Sequence, residues 1–107
     1  MELISREELK SKLDRGDDFK LFMVLGEWAF RLKHIPGSLN VSSPEQAEGV
    51  LFPEDEIVIY CSGPECIASI AAFGLMEQGG FGKVRRYAGG LRDWEDAGLP
   101  LEGEAID

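Results

Sequence analysis

The segment Ile57–Tyr60 constrains the fold of this chain more than any other feature of its sequence. Its four residues all favour β-structure, and they predict a strand that is buried on both faces. Cys61 follows this strand directly, and a polar loop leads from it to a run of residues at helical spacing that Gly79 ends. The residues of that spacing are Ile67, Ile70, Ala71, Gly74, Leu75 and Gln78. The succession of strand, loop and helix is typical of a parallel α/β sheet.

The remaining sequence supplies further short helices and strands in alternation. Ser5 and Glu8 form a capping box at the start of the first helix, and Gly16 provides the left-handed residue that ends it. The predicted helices are Arg6–Arg15, Glu27–Lys33, Pro44–Ala47 and Leu91–Ala97, and the other predicted strands are Phe19–Leu25, Leu39–Val41 and Lys83–Tyr87. Helices that alternate with short buried strands predict an α/β fold.

The size and charge of the chain exclude several classes of protein. Its 107 residues suffice for one core, so residues 1–107 are predicted to form a single domain. No apolar stretch is long enough to cross a bilayer, and the acidic N-terminal segment is unlike a signal peptide, which predicts a cytoplasmic protein with no membrane partner. The net charge of −9 would repel a phosphate backbone, so we expect no nucleic-acid partner.

Cysteine usage points to thiol chemistry and away from a metal site. The chain contains two cysteines, Cys61 and Cys66, which are too few for the disulfide framework of a small secreted domain. A closed zinc site needs four cysteine or histidine ligands, whereas this chain offers these two cysteines and the single His34. We therefore expect intracellular thiols and no bound metal, and we interpret His34 as a structural turn residue.

Cys61 occupies the position that a nucleophile would take in such a sheet. Ligands of parallel α/β sheets bind beyond the carboxyl ends of the strands. A loop that feeds into a helix can turn backbone N–H groups toward the thiol, and together with the helix dipole they would favour the thiolate. The alternative is that Cys61 serves as a small buried hydrophobic residue. Cys66 is either a packing residue where the helix begins or a resolving thiol, able to form a disulfide with Cys61 or to attack a persulfide on it.

Several segments of the chain, taken together, resemble the rhodanese-like domain over nearly the whole length. They are His34–Asn40, Ile57–Cys61, Ala71–Ala72, Gly80–Phe81, Ala88–Trp94 and Ala97–Pro100. The resemblance implies a central parallel five-stranded sheet flanked by helices on both faces, with the active cysteine directly after a central strand. Only Cys61 matches that position. The resemblance also implies a sulfurtransferase in which Cys61 carries a sulfane sulfur as a persulfide, without a metal or an organic cofactor.

The same resemblance implies the partners and the binding loop. The substrate would be a small sulfur donor, thiosulfate or a persulfide, and the acceptor would be a thiol, cyanide or an acceptor protein. The loop that holds the persulfide would consist of Ser62, Gly63, Pro64, Glu65, Cys66 and Ile67. In related phosphatases that share the fold, an arginine grips phosphate at the position that Ile67 occupies here, which argues against phosphotransfer.

The chain departs from the family pattern at two places. Members that take sulfur from thiosulfate often carry a basic residue in the loop, whereas segment 62–68 has no Lys or Arg, Glu65 adds a negative charge, and the loop is longer than usual. At the end of another strand the family usually has an Asp and an Arg, where Met23 and Leu25 stand here. Three hypotheses follow: a sulfurtransferase, a non-catalytic binding or regulatory module, and a thiol-redox protein that uses Cys61 and Cys66.

Overall fold

Helices and strands alternate along the chain in the computed structural model, which describes residues 2–40, 52–63 and 66–105. The helices are α1 (Arg6–Arg15), α2 (Glu27–Leu32), α3 (Ile67–Gln78) and α4 (Gly90–Asp96), and the strands are β1 (Lys20–Met23), β2 (Leu39–Asn40), β3 (Ile57–Tyr60) and β4 (Val84–Tyr87). These bounds confirm the predicted elements to within about two residues. The helix predicted at Pro44–Ala47 and the predicted strand end at Val41 lie outside the described residues.

Local sequence signals account for both ends of α1. Ser5 Oγ accepts a hydrogen bond from the backbone N–H of Glu8 at 3.1 Å, as the capping box predicts. At the other end, Gly16 adopts φ 73°, and its N–H donates to the carbonyl of Leu13 at 3.2 Å. These contacts satisfy backbone groups that the ends of a helix would otherwise leave unpaired.

The four strands form one parallel sheet in the order β2-β1-β3-β4. β3 is therefore central, and the register pairs Tyr60 with Met23 of β1 and with Tyr87 of β4. The prediction of five strands was wrong for the described part of the chain, which contains four. Beside β4, Leu3 forms only an isolated parallel bridge with Arg86, because the cap at Ser5 turns the chain into α1 two residues later.

Two hydrophobic clusters cover the two faces of the sheet, as a parallel α/β fold requires. Val58 and Tyr60 belong to the first cluster, with Leu9 of α1 and Trp94 of α4. The alternate residues of β3 belong to the second cluster, with Phe73 of α3. Helices therefore flank the sheet on both faces, as predicted, and α3 covers the face opposite α1 and α4.

The residues whose spacing predicted α3 do not all lie on its buried face. Ile67 and Leu75 are 79% and 53% exposed, whereas Ser69 and Phe73 on the other side of the helix are buried. Apolar residues occur on all sides of α3, so periodicity could not identify its packing face. None of the helices in the described ranges is both long enough and apolar enough to span a membrane.

Candidate functional site

Cys61 lies at the carboxyl end of the central strand, and 1% of its surface is exposed. The backbone N–H of Val24, just past the end of β1, donates to the carbonyl of Tyr60 at 3.0 Å. This bond extends the sheet pairing to the residue that precedes Cys61. Because the side chains of β3 alternate between the two faces, Cys61 is directed to the face that α3 covers. The chain thus places this cysteine at the edge of the sheet where parallel α/β proteins bind ligands.

Backbone groups of α4 hold the first half of the loop that follows Cys61. The N–H of Leu91 donates to the carbonyl of Cys61, and the N–H of Arg92 donates to the carbonyl of Ser62, both at 2.9 Å. Orphan donors of the first turn of α4 thereby satisfy two carbonyls of the loop. The position of Cys61 is therefore tied to α4 as well as to the sheet.

Gly90 makes this close approach between α4 and the loop sterically possible. It adopts φ +65°, and a Cβ on it would lie 2.6 Å from the carbonyl oxygen of Cys61 and 2.8 Å from the nitrogen of Gly63. Only glycine accepts both this backbone conformation and this contact without strain. The element packed against Gly90 is therefore the cysteine loop itself.

The beginning of α4 is anchored by Asp93. The hydroxyl of Tyr87, at the end of β4, donates to Oδ2 of Asp93 at 2.5 Å, and Nη1 of Arg6 donates to Oδ1 at 2.9 Å. Burial raises the pKa of Tyr87 well above its ordinary value, and the negative charge of Asp93 raises it further. The phenol therefore stays protonated as a donor and fixes α4 against the sheet.

Cys66 lies where α3 begins, and its sulfur is bonded to that of Cys61. The two Cα atoms are 6.3 Å apart. The N–H of Cys66 donates to the carbonyl of Gly63 at 3.1 Å, and its side chain makes no capping hydrogen bond to the first turn of α3. The structure thus brings together the predicted nucleophile, Cys61, and Cys66, for which a resolving role was one of two alternatives. Pro64 and Glu65 lie outside the described residues.

The buried side chain of Arg86 supports the start of α3 through a hydrogen bond to Ser69. Nε of Arg86 donates to Oγ of Ser69 at 2.8 Å, and this hydroxyl donates to the carbonyl of Cys66 at 3.4 Å. Arg86 is 6% exposed and Ser69 is 1% exposed. Segment 62–68 has no Lys or Arg, but the guanidinium group of Arg86 in β4 lies next to the start of α3. Sequence analysis missed this group, because Arg86 is 25 positions away from Cys61 along the chain and only the sheet register brings it close.

A hydroxyl network fixes the end of β3 on its other face. The buried hydroxyl of Tyr60 accepts a hydrogen bond from the N–H of Ile35 at 3.0 Å and shares another with Ser38 Oγ at 2.9 Å. Burial raises the pKa of Tyr60 to about 12, although the hydrogen bonds with Ser38 and Ile35 oppose that rise. The network ties the turn before β2 to the residue that precedes Cys61.

The model of the rhodanese-like domain family matches residues 5–97 of this chain. The chain belongs to the rhodanese-like domain family. Among solved structures, the rhodanese-like domain of an Anabaena protein has a TM-score of 0.87 and 27% identity, with 98% of this chain and 81% of that chain covered. A Bacillus halodurans protein has a TM-score of 0.89 and 24% identity, with 97% and 78% covered, which is a likeness of fold alone.

Two further relatives carry functional names. A thiosulfate sulfurtransferase from Pseudomonas aeruginosa has a TM-score of 0.80 at 22% identity, with 96% of this chain and 20% of that chain covered, so it supports the fold only. An HTH-type transcriptional regulator from Mycobacterium tuberculosis is 31% identical over 101 residues. The match takes in 92% of this chain but 44% of the regulator, so the chain spans less than half the length of that relative.

The polar pair that rhodanese-like domains usually carry is replaced here by apolar packing. Met23, at the end of β1, is 1% exposed and lies in the first hydrophobic cluster, and Leu25 packs against the same cluster. Nδ2 of Asn40 donates to the carbonyl of Leu25 at 2.7 Å and holds the backbone beyond β1 in place. Well-packed apolar groups can replace a buried polar pair without loss of stability. This edge of the sheet is therefore apolar at the two positions.

His34 makes local contacts, as expected of a structural turn residue in this rhodanese-like domain. Its Nδ1 lies 2.7 Å from the carbonyl oxygen of Phe30, and its ring stacks on that of Phe30 with centroids 3.9 Å apart. Its backbone N–H donates to the carbonyl of Glu102 at 2.8 Å. These contacts join the end of α2 to the C-terminal segment.

Proposed function

We propose that this domain is a sulfurtransferase that carries a sulfane sulfur as a persulfide on Cys61. The observation that carries the proposal is the place of Cys61, at the carboxyl end of the central strand and directly before the loop that leads into α3, in a chain of the rhodanese-like family. The N–H groups of the first turn of α3 donate no hydrogen bond to the side chain of Cys66. Such groups stabilise a thiolate or a persulfide anion.

The reaction begins from the reduced form, in which Cys61 and Cys66 are thiols. The thiolate of Cys61 attacks the outer sulfur of the donor; the new S–S bond forms as the donor's own bond breaks, and the donor leaves as sulfite or as a thiolate. A thiol or cyanide then attacks the outer sulfur of the Cys61 persulfide, and Cys61 leaves as a thiolate. The carbonyls of Cys61 and Ser62 are already bonded to α4, so the loop can meet the anion with N–H groups.

We propose a low-molecular-weight persulfide as the preferred donor over thiosulfate. Thiosulfate carries two negative charges, the chain has a net charge of −9, and segment 62–68 holds an acid and no base. The guanidinium of Arg86 offsets part of this charge, but it lies behind Ser69 and is 6% exposed. It therefore favours a small anion on the cysteine more than it favours docking of a dianion.

Intact-mass analysis of two single-cysteine variants tests the proposal. Cys66→Ser keeps the proposed carrier and Cys61→Ser keeps the other thiol, so each variant is the matched control of the other. After reduction and removal of reductant, we expect glutathione persulfide to add one sulfur, about 32 Da, to Cys66→Ser and none to Cys61→Ser. Equal labelling of both variants would contradict the proposal. So would the absence of labelling when folded and reduced Cys66→Ser is treated with glutathione persulfide or with thiosulfate.

The donor preference has its own test in Glu65→Arg. This change introduces into the loop the basic residue that thiosulfate-using family members often carry. We expect the rate of persulfide formation from thiosulfate to rise by about tenfold, as a favourable charge contact of moderate strength would produce. A matched Glu65→Gln variant removes the negative charge alone and should show a smaller gain. An unchanged thiosulfate rate in both variants would count against a role of loop charge in donor choice.

A regulatory module is the second candidate function, and the similarity to an HTH-type transcriptional regulator favours it. That relative is more than twice as long as its matched part, so a related domain occurs there within a larger protein. As a regulatory module, the rhodanese-like domain would bind a partner without catalysing sulfur transfer. The apolar residues Met23 and Leu25 would then not impair its function. A reduced Cys66→Ser protein that binds no sulfur from either donor would favour this candidate.

We propose that the domain works in a compartment that keeps thiols reduced, such as the cytoplasm. The proposed carrier is a free thiolate, and reducing compartments maintain thiols in this form. The disulfide between Cys61 and Cys66 would then be a transient state of the protein. Alkylation of the protein inside cells before lysis tests this: we expect both cysteines to be modified in most molecules during unstressed growth, and a stable disulfide would contradict it.

A further inference from the structure

We propose that Cys66 is the resolving thiol of this site, so that the domain releases its bound sulfur as hydrosulfide and closes the Cys61–Cys66 disulfide. The inference rests on the proposed function, because it starts from a persulfide on Cys61. It adds a second activity, the reduction of sulfane sulfur to sulfide without an external acceptor. The observation behind it is that the candidate carrier and its neighbour are bonded to each other.

The disulfide forms within a loop whose two ends are held by the surrounding fold. The Cys61 end is fixed by β3 and by the hydrogen bond from Leu91, which is present together with the disulfide. The Cys66 end is fixed by the hydrogen bond to Gly63 and by the contact of its carbonyl with Ser69, which Arg86 supports. The sulfur of Cys66 can therefore reach that of Cys61 while the anchors of the loop stay in place.

A purely structural role explains this disulfide poorly. The stabilisation that a disulfide provides through chain entropy grows with the length of the loop it closes, and this loop spans a separation of five residues. Two hydrophobic clusters already bury the sheet on both faces. The disulfide also blocks the thiol of Cys61, which stands at the position of the active cysteine in the family. It therefore affects the reactivity of the site more than the stability of the fold.

The chemistry balances with one co-reactant. The Cys61 thiolate attacks the outer sulfur of a low-molecular-weight persulfide, which leaves as a thiolate. The Cys66 thiolate then attacks Sγ of Cys61: the Cys66–Cys61 bond forms, and the bond from Cys61 to the outer sulfur breaks. The outer sulfur takes the electron pair and a proton and leaves as hydrosulfide. The sulfane sulfur gains two electrons, and the two thiols are oxidised to the disulfide.

A dithiol reductant completes the cycle, and exposure indicates where it attacks. Cys61 is 1% exposed, whereas Cys66 is half-buried and is followed by Ile67, which is 79% exposed. A thiolate of the reductant would form a mixed disulfide with Cys66, and Cys61 would leave as a thiolate. Leaving groups of low pKa depart faster, and the loop and the start of α3 stabilise that thiolate. The dithiol's second thiol then frees Cys66, and the carrier is restored.

A single-turnover experiment tests the inference with the full chain. Wild-type protein, Cys66→Ser and Cys61→Ser are reduced, freed of reductant and mixed with one equivalent of glutathione persulfide. Released sulfide and intact mass are then measured. We expect wild type to release about one sulfide per chain and to lose about 2 Da as the disulfide closes. We expect Cys66→Ser to retain about 32 Da and to release no sulfide, and Cys61→Ser to do neither. Cys66→Ala serves as a second variant if the serine variant folds poorly.

The outcomes separate this inference from the proposed function. If wild type keeps the added sulfur as stably as Cys66→Ser does, the inference is overturned and the sulfur-carrier proposal stands. If Cys66→Ser gains a glutathione adduct instead of sulfur, or gains nothing, the carrier proposal fails and the inference fails with it. Sulfide release by wild type together with a stable persulfide on Cys66→Ser supports both.

Discussion

The two ends of the central strand β3 are held by different kinds of interaction. Beyond its carboxyl end, the carbonyls of Cys61 and Ser62 accept hydrogen bonds from backbone N–H groups of α4. Before its amino end, Glu56 forms an ion pair with Lys12, whose ammonium group also lies 3.7 Å from Asp17. The Lys12 ammonium also lies 5.2 Å from the ring centroid of Phe19. The two carbonyls directly after β3 are thus held by neutral backbone groups, whereas the residue before β3 is held by a largely buried charge.

This difference suits a site that must stabilise an anionic sulfur. A carboxylate beside Cys61 would disfavour its thiolate, whereas backbone N–H groups and carbonyls can position the loop without adding a net charge. Among the described residues, no cysteine lies at the amino end of β3, so an ion pair is compatible with that position. Changes at the carboxyl end should therefore affect sulfur uptake and stability together, whereas changes at the amino end should affect stability alone.

The largest effect is expected from Gly90→Ala. The new Cβ would lie 2.6 Å from the carbonyl oxygen of Cys61, at a backbone φ of +65°. We expect a loss of about 3 kcal/mol or more in the free energy of unfolding, from strain and from displacement of the loop, with loss of sulfur uptake. Gly98→Ala is the matched control, because Gly98 has φ +75° but, its chain neighbours aside, no described residue has an atom within 4 Å of its Cβ position. It should cost about 1–2 kcal/mol and leave uptake intact; equal effects of both changes would contradict the role of the loop contact.

The next largest effect is expected from Tyr60→Phe, whose effect on the free energy of unfolding should depend on pH. Removal of the hydroxyl leaves the N–H of Ile35 without this acceptor, so we expect a loss of about 1–2 kcal/mol near neutral pH. The folded-state pKa of Tyr60 is about 12, above its ordinary value of 10.0. The stability that this shift contributes is fully present below pH 10 and is lost as the pH rises toward 12.

The phenylalanine variant lacks that loss, so its stability should approach that of wild type between pH 10 and pH 12. Urea unfolding at several pH values measures the difference. Tyr87 ionises alike in both proteins and cancels in the comparison. If the difference in free energy of unfolding between wild type and Tyr60→Phe stays constant from pH 10 to pH 12, Tyr60 is not the group that causes the loss of stability.

Lys12→Met examines the amino end of β3. The variant keeps the apolar stem beside Phe19 but removes the charge that Glu56 and Asp17 share. We expect a loss of about 1 kcal/mol, since both acids are partly exposed and regain water, and the loss should shrink in high salt. Persulfide formation at Cys61 should be unchanged. A fall in sulfur uptake in the folded variant would show that the two ends of β3 are coupled.

The smallest effect is expected from Asp14→Asn on the surface of α1. Its carboxylate accepts hydrogen bonds from Nζ of Lys10 at 2.6 Å and 2.8 Å, and both side chains are exposed to solvent. An exposed ion pair at this helical spacing contributes about 0.3–0.5 kcal/mol. Thermal unfolding of the variant should therefore differ little from wild type, with no change in sulfur uptake. A loss of stability comparable with that of Lys12→Met would mean that exposed charges contribute as much to stability as the buried charge of Lys12.

Much of the fold could be predicted because its signals are local. The hydroxyl of Ser5 and the conformation of Gly16 mark the ends of α1 within a few residues of the helix itself. The β-favouring segment Ile57–Tyr60 and the cysteine after it were identified in the same way. The family resemblance also held, since the match to the rhodanese-like domain covers residues 5–97. The predicted number of strands was wrong for the described residues, in which the segment at Leu3 forms one bridge with Arg86 before the chain turns into α1.

The supports of the candidate site could not be predicted, because they join distant parts of the chain. Arg86 contacts Ser69 across a separation of 17 residues, and Tyr60 meets Ile35 across 25. Neither residue type is unusual for a strand, so no local pattern marks these partners. The packing face of α3 could not be predicted either, because apolar residues occur on all sides of this helix and their spacing does not identify one buried face.

The sequence by itself therefore determined the class of fold, the positions of its elements and the cysteine that ends the central strand. These properties depend on backbone preferences and side-chain patterns within a few consecutive residues. Only the tertiary structure decided that Gly90 packs against the carbonyl of Cys61, that Arg86 lies beneath the start of α3 and that Cys66 is bonded to Cys61. The register of the parallel strands and the packing of helices on their two faces determine these contacts, because together they bring separate segments to one edge of the sheet.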